Sequence, residues 1–276
     1  MLKRTLSSVV LVLVTVIFFL LRRVHYKLFD IYSYIIAIVC TFELLRAYGD
    51  DLTRIQKILV MAFTLTVFPV TSLLPSILIQ FVASFVAIIL FVSVLTTSLD
   101  RTDGITKAVF ATFYPTIPLL ALVMLNVQGG NGVYYLITAL AIPAFTDVGA
   151  YLLGSLFKGP KLCPHISPNK TISGAVGGLI CGIIASFITY FSLRAFNIDV
   201  FRGMKTINIV IFLVVSGIFL SVVAQIGDLV ESYLKRRIGI KDMGDIIPGH
   251  GGMLDRVDGI AFTSLFTFVI YSLALI

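Results

Sequence analysis

Residues 55–95 read IQKILVMAFTLTVFPVTSLLPSILIQFVASFVAIILFVSVL, two apolar runs of about twenty residues parted by Leu74-Pro75-Ser76 and carrying one charge, Lys57. A helix needs roughly 20 apolar residues to cross the hydrocarbon core of a bilayer. Each run is long enough, and the proline break makes the pair a short hairpin. Runs of the same kind lie near 5–21, 28–48, 104–127, 133–156, 172–196, 207–233 and 257–276, giving nine in all. Inside lipid the backbone must satisfy its own polar groups, which leaves helices or a closed barrel. A barrel would show alternating polarity over segments of about ten residues rather than unbroken apolar runs.

Composition agrees. The chain of 276 residues is 58% hydrophobic and 13% charged, with a mean hydropathy of +1.04. Twenty-one basic and 14 acidic residues are too few to cover a water-facing exterior, so a water-soluble domain is excluded. A disordered chain and a coiled coil fail on the same numbers, because each needs a polar or charged face. Cys40, Cys163 and Cys181 show no CxxC spacing, and neither a disulfide framework nor a thiolate metal site follows. The net charge of +7 reads as a topology signal near anionic lipid, and no nucleic-acid partner is expected.

Basic residues in short loops collect on the cytoplasmic side. With nine spans one side holds Lys3, Arg4, Arg46, Arg54, Lys57, Arg101, Lys107, Lys158, Lys161, Lys170, Lys235, Arg236, Arg237, Lys241 and Arg256. The other holds Arg22, Arg23, Lys27, Arg194, Arg202 and Lys205. The expected fold class is therefore all-α: a polytopic integral membrane protein with about nine transmembrane helices and a cytoplasmic N-terminus. The first run follows Lys3 and Arg4 and is followed by Arg22 and Arg23 rather than a cleavage site of small residues, so it is expected to be a retained helix. Residues 1–130 form an N-terminal region of about five spans. Residues 131–276 form a C-terminal region of about four, with cytoplasmic loops at 157–171 and 234–256.

Polar features concentrate in that C-terminal region. Intramembrane carboxylates are costly and are functional candidates by default. Asp147 lies inside the sixth run, and Ser221, Gln225, Asp228 and Ser232 fall on one helical stripe that Lys235 continues. Asp255 and Asp258, three residues apart, share a face at the start of the last run. On the nine-span topology Asp147, Asp228, Asp255 and Asp258 come to similar depth near the cytoplasmic face. Converging carboxylates call for a cation, and oxygen donors without cysteine favour Mg²⁺ or Mn²⁺. The alternative is that each aspartate pairs with an arginine or caps a helix, as Asp255 can do with Arg256 or at a helix start.

Beside the carboxylates lies phosphate-binding chemistry. Lys235-Arg236-Arg237 and Lys241 form a basic loop, and Pro248-Gly249-His250-Gly251-Gly252 offers backbone amides ahead of a helix start. A second loop supplies Lys158, Lys161 and His165, then Ser167-Pro168-Asn169-Lys170-Thr171 before another helix. Basic loops beside acidic residues at one membrane face point to a nucleoside triphosphate with a metal. Other features read as structure: Glu43 is expected to pair locally with Arg46, Gly174, Gly177, Gly178 and Gly182 to mark a close helix contact, and Pro115, Pro118 and Pro143 to kink helices. A transporter is the rival of another class. It predicts charge near the bilayer centre and symmetry between halves, whereas polarity here is skewed to one end and one face.

The run Ser232, Leu234-Lys235-Arg236, Lys241-Asp242, Gly244, Ile247-Pro248, His250-Gly251-Gly252, Asp255-Arg256 and Asp258 resembles at every fixed position the signature of phosphatidate cytidylyltransferases (CDP-diacylglycerol synthases). Thr146-Asp147, Gly149-Ala150-Tyr151 and Ser167-Pro168-Asn169-Lys170-Thr171 are similar to two further blocks of that family. The chain departs where Asn169 replaces a second lysine and Ile172-Ser173 replaces Trp-Glu, and no acidic role is carried onto that loop. Related lipid kinases and prenyl-lipid cytidylyltransferases share parts of the pattern. The resemblance implies transfer of CMP from CTP to phosphatidic acid, giving CDP-diacylglycerol and pyrophosphate in phospholipid biosynthesis. It implies catalytic roles for Asp228, Asp255, Asp258, Lys241 and Arg256. Lys170, Ser167, Thr171, Ser232, Lys235, Arg236, His250, Gly251 and Gly252 would bind substrate, and Asp147, Asp228, Asp255 and Asp258 would hold one or two Mg²⁺ ions. It also implies a homodimer among membrane lipids, in a bacterial inner membrane with the site facing the cytoplasm.

Overall fold

The computed structural model describes residues 2–96, 103–126, 131–198, 200–247, 249 and 251–274, with the side chains of 2–8 and of Pro75 outside that description. Ten helices follow in order: α1 (Leu2–Leu21), α2 (Lys27–Ala47), α3 (Arg54–Leu73), α4 (Leu78–Thr96), α5 (Asp103–Phe113), α6 (Thr116–Leu125), α7 (Gly132–Phe157), α8 (Ile172–Ala195), α9 (Thr206–Ile238) and α10 (Leu254–Leu273). Between α7 and α8 lie two short strands, β1 (Lys161–Cys163) and β2 (Ser167–Thr171). Among the described residues, eight helices or helix pairs are long and apolar enough to cross a membrane, and a shorter apolar helix covers Val9–Leu21. The protein is an all-α polytopic membrane protein.

The hairpin read from 55–95 is present: α3 ends at Leu73, a 3-10 turn covers Pro75–Ile77, and α4 follows. Helix α4 buries only Ile89 and Ser93 while exposing residues such as Ile79, Phe91 and Leu95, which suits lipid and not water. The run 104–127 is divided into α5 and α6 at Tyr114-Pro115, because proline lacks the N–H a continuing helix needs and its ring disfavours helical backbone before it. Pro118 sits in the first turn of α6, where proline is tolerated, and Pro143 lies inside α7 without ending it.

Two expected loops are shorter or more ordered than the hydropathy suggested. The segment expected as a loop from 234 begins instead at Gly239, since α9 continues to Ile238 and carries Lys235, Arg236 and Arg237 in its last turn. Cations there complement the exposed carbonyls of a helix C-terminus, and Gly239 ends the helix at a left-handed φ of 82°, a conformation open to glycine. The other loop contains an antiparallel β1–β2 hairpin pairing Lys161 with Thr171 and Cys163 with Ser167.

The chain forms two compact units, Met1–Leu120 with Ile240–Arg256, and Ala121–Gly239 with Val257–Ile276. In the first, the hydroxyls of Thr41, Thr64 and Thr116 hydrogen-bond to one another at 2.8–3.3 Å, joining α2, α3 and α6 by polar contacts in an apolar setting. In the second, Ile142 of α7, Ala185 of α8 and Leu220 of α9 form a core with Phe145 and Ile270 packed on it. Helices α7 and α8 approach so closely that a Cβ on Gly177 would lie 2.6 Å from the Gly149 carbonyl, and α8 and α9 so closely that one on Gly182 would lie 2.7 Å from Ser221 Cβ. The glycine spacing expected to mark a close helix contact does so.

Candidate active site

In the second unit a cavity of about 560 Å³ is lined by Asp147, Tyr151, Asn169, Lys170, Thr171, Gly174, Gln225 and Asp228, among others. Its lining comes from α7, β1, β2, α8 and α9. Helix α7 supplies Asp147, β2 carries Lys170 to the cavity, and the polar stripe of α9 faces inward. Ser221 Oγ lies 2.9 Å from Thr146 Oγ1, Gln225 Nε2 donates to the Ala175 carbonyl at 3.3 Å, and Asp228 Oδ2 lies 2.6 Å from Lys170 Nζ. Ser232 Oγ donates to Asp228 Oδ1 at 3.3 Å. Thr171 caps α8, its Oγ1 accepting the Gly174 amide at 3.1 Å, which fixes the residue beside Lys170 to a helix start.

Behind this cavity stands a carboxylate that the sequence reading passed over. Glu231 is 1% exposed. It accepts from Lys235 Nζ at 2.9 Å and lies beside the Asp258 carboxyl, which also feels the charges of Asp228 and Asp147. Asp147 on α7 and Asp228 on α9 thus lie within electrostatic range of Asp258 on α10, with Lys170 at Asp228 and Lys235 at Glu231. Lys235 therefore sits on Glu231, and Arg236 Nε reaches the Ile166 carbonyl at 3.5 Å. Neither they nor Ser167 and Ser232 line the cavity. The spacing of Glu231 four residues before Lys235 is also that of an ordinary surface pair, so nothing in the sequence set it apart.

In the first unit, the segment between α9 and α10 borders a second cavity, of about 610 Å³, lined by Lys241, Asp242, Gly244, Asp245, Ile247, Gly249, Gly251 and Arg256. Asp255 Oδ2 accepts the amides of Met243 at 2.9 Å and Gly252 at 2.8 Å, so this carboxylate staples the segment to the first turn of α10. Gly252 is thereby a donor to Asp255, and Gly251 borders the cavity at φ 88°. His250 lies outside the described residues.

The expected Glu43–Arg46 pair is not what forms. Glu43, 1% exposed, accepts Met253 N at Oε1 and Leu254 N at Oε2, each at 2.9 Å, and Arg46 bonds Asp245 at 3.0 Å. The helix start of α10 offers unsatisfied amides and the positive end of its dipole. Charge-assisted bonds of this kind are worth about 1.5–3 kcal/mol each, enough to draw a carboxylate away from an exposed arginine one turn along its own helix.

The cavity of the second unit presents carboxylate, hydroxyl and amide oxygens and no thiol or imidazole, a donor set suited to Mg²⁺ or Mn²⁺. Among the described residues, no three acidic, histidine or cysteine side chains stand close enough to hold a metal by themselves. Mg²⁺ ordinarily takes one or two carboxylates and completes its shell with water and phosphate oxygens. Asp147 and Asp228 fit that division.

The chain is 44% identical over 132 residues to the phosphatidate cytidylyltransferase of Staphylococcus haemolyticus, a match covering 48% of this chain and 46% of that protein. It is 44% identical over 133 residues to the enzyme of that name from Staphylococcus aureus, with the same coverage. These matches span about half the length of the curated relatives. The model of the cytidylyltransferase family, by contrast, matches residues 2–274, and the chain belongs to that family.

Proposed function

We propose that this protein is an integral membrane nucleotidyltransferase that moves the cytidylyl group of CTP onto phosphatidate, giving CDP-diacylglycerol and pyrophosphate. The observation that carries the reading is the Lys170–Asp228 pair at 2.6 Å, a cation and a carboxylate meeting on the wall of a cavity that also holds Asp147. Family membership and the names of the staphylococcal relatives support the choice of substrates.

In the reaction a phosphatidate oxygen forms a bond to the α-phosphorus of CTP as the bond from that phosphorus to the bridging oxygen of the β-phosphate breaks, and pyrophosphate leaves. No covalent help from the protein is needed, so its work is positioning and charge compensation. Asp147 and Asp228 are the residues that would hold Mg²⁺, which when bound neutralises charge on transferring phosphates. Lys170 leaves Asp228 for a phosphate oxygen, and Ser232 keeps the Asp228 carboxylate oriented through Oδ1. Lys241 and Arg256 are proposed to bind phosphate at the cavity they border in the first unit, while in the second Glu231 holds Lys235 in place. We place the site at the cytoplasmic face of a bacterial inner membrane, where CTP comes from water and the lipid from the leaflet. The excess of basic residues on that side supports this orientation. The association of two copies is part of the same reading.

The test is purified protein with CTP, phosphatidate and Mg²⁺, followed by mass spectrometry of the lipid and measurement of released pyrophosphate. A lipid heavier by a cytidylyl group, lost on metal chelation, is expected. Release of a nucleoside diphosphate with no nucleotide on the lipid would make the protein a lipid kinase instead.

A further inference from the structure

We infer that Glu43 of α2 is a positioning residue for the segment 240–253, acting as an internal anion around which that segment is folded. The inference rests on the cytidylyltransferase reading for its kinetic consequence, though not for its structural one. A glycine-rich stretch ahead of a helix start is usually read as a cradle for a substrate phosphate. Here the anion in part of that cradle belongs to the protein. Both Glu43 oxygens accept amides at the start of α10, from Met253 and Leu254, across 210 and 211 residues of chain.

Two glycines of the segment, Gly244 and Gly252, follow from that carboxylate. A Cβ on Gly244 would lie 2.5 Å from Glu43 Oε1, and one on Gly252 would lie 2.6 Å from Oε2. Any side chain at either position would strike the acid. Asp255 acts from the other side, taking the Met243 and Gly252 amides on Oδ2. Its Oδ2 would stand 3.0 Å from a Cβ on Gly251. Two carboxylates therefore engage the amides of Met243, Gly252, Met253 and Leu254, and a bond from Ile247 N to Gly251 O at 2.9 Å closes the turn between them. Among the described residues, the segment and the first turn of α10 offer a substrate the cationic side chains of Lys241 and Arg256 on the cavity wall, set in place by an acid from the second helix. A displacement of about 1 Å in such groups can lower a rate roughly a hundredfold.

Glu43→Ala and the near-isosteric Glu43→Gln test this in the full chain in detergent, by hydrogen–deuterium exchange and by CTP kinetics. Glutamine keeps one acceptor but presents an NH₂ to the other amide. Exchange across 243–256 should quicken at least tenfold in Glu43→Ala and less in Glu43→Gln, with α8 unchanged. Turnover should fall at least tenfold in Glu43→Ala and partly recover in Glu43→Gln, with the melting temperature lowered in Glu43→Ala and less so in Glu43→Gln. If Glu43→Ala does not fold, Glu43→Gln alone decides by the same readings. Wild-type exchange and kinetics in Glu43→Gln, or losses that track global unfolding without a local change at 243–256, would overturn the inference. Failure of the wild type to use CTP would instead sink the proposed reaction, and the exchange result would still decide the role of Glu43.

Discussion

Replacing Lys170 by methionine and Asp228 by asparagine, singly and together, probes the contact on which the site depends. The Nζ–Oδ2 distance is 2.6 Å, and the side chains retain 24% and 33% of their exposure. Unit charges about 3 Å apart attract by roughly 5 kcal/mol at an effective dielectric constant of about 20. Desolvation and side-chain ordering offset most of this, and partial exposure screens more, leaving a coupling of about 1–2 kcal/mol. The single variants should differ in size. Lys170→Met leaves Asp228 uncompensated beside Asp258 and Asp147, and should destabilise the protein by about 2 kcal/mol. Asp228→Asn removes one of the crowded charges and should cost about 1 kcal/mol or less. Unfolding of the four proteins in one detergent gives the cycle. In turnover each single variant should lose at least about a hundredfold, with the double variant little worse than the poorer single, as for groups that act as a unit. A coupling below about 0.5 kcal/mol, or an Asp228→Asn variant less stable than Lys170→Met, would refute the reasoning.

Gly177→Ala places a methyl group 2.6 Å from the Gly149 carbonyl and 2.7 Å from Leu153 Cβ. Overpacking of this kind costs about 1–3 kcal/mol, to be read as a lowered melting temperature in detergent. Thr171→Ala removes the cap that accepts the Gly174 amide at 3.1 Å. It should cost about 1 kcal/mol of stability and, since Thr171 neighbours Lys170, should also weaken substrate affinity, measured as a raised KM.

The membrane architecture was legible because hydropathy acts locally: a run of about twenty apolar residues means a span wherever it occurs. The polar stripe of α9 was legible for a related reason. Helical periodicity alone puts Ser221, Gln225 and Asp228 on one face, and that face lines the cavity or bonds the helices beside it. Where the reading stopped was at competition between partners. Glu43 and Arg46 stand at pairing distance along one helix, yet the carboxylate bonds amides 210 residues away because a helix start with unmet donors is the stronger partner. Likewise α9 runs past its apolar stretch to Ile238, since a helix ends where capping ends it and not where hydropathy falls.

The amino-acid sequence determined the helical membrane fold, the residue types of the site and, through spacing, its kinship with cytidylyltransferases, since each depends on local periodicity or on chemistry carried by the residues themselves. Only the tertiary structure decided which charge meets which: Lys170 with Asp228, Lys235 with Glu231, Arg46 with Asp245. The physical reason is that an ion's best partner is set by burial and by the donors brought beside it in space, and neither can be read from distance along the chain.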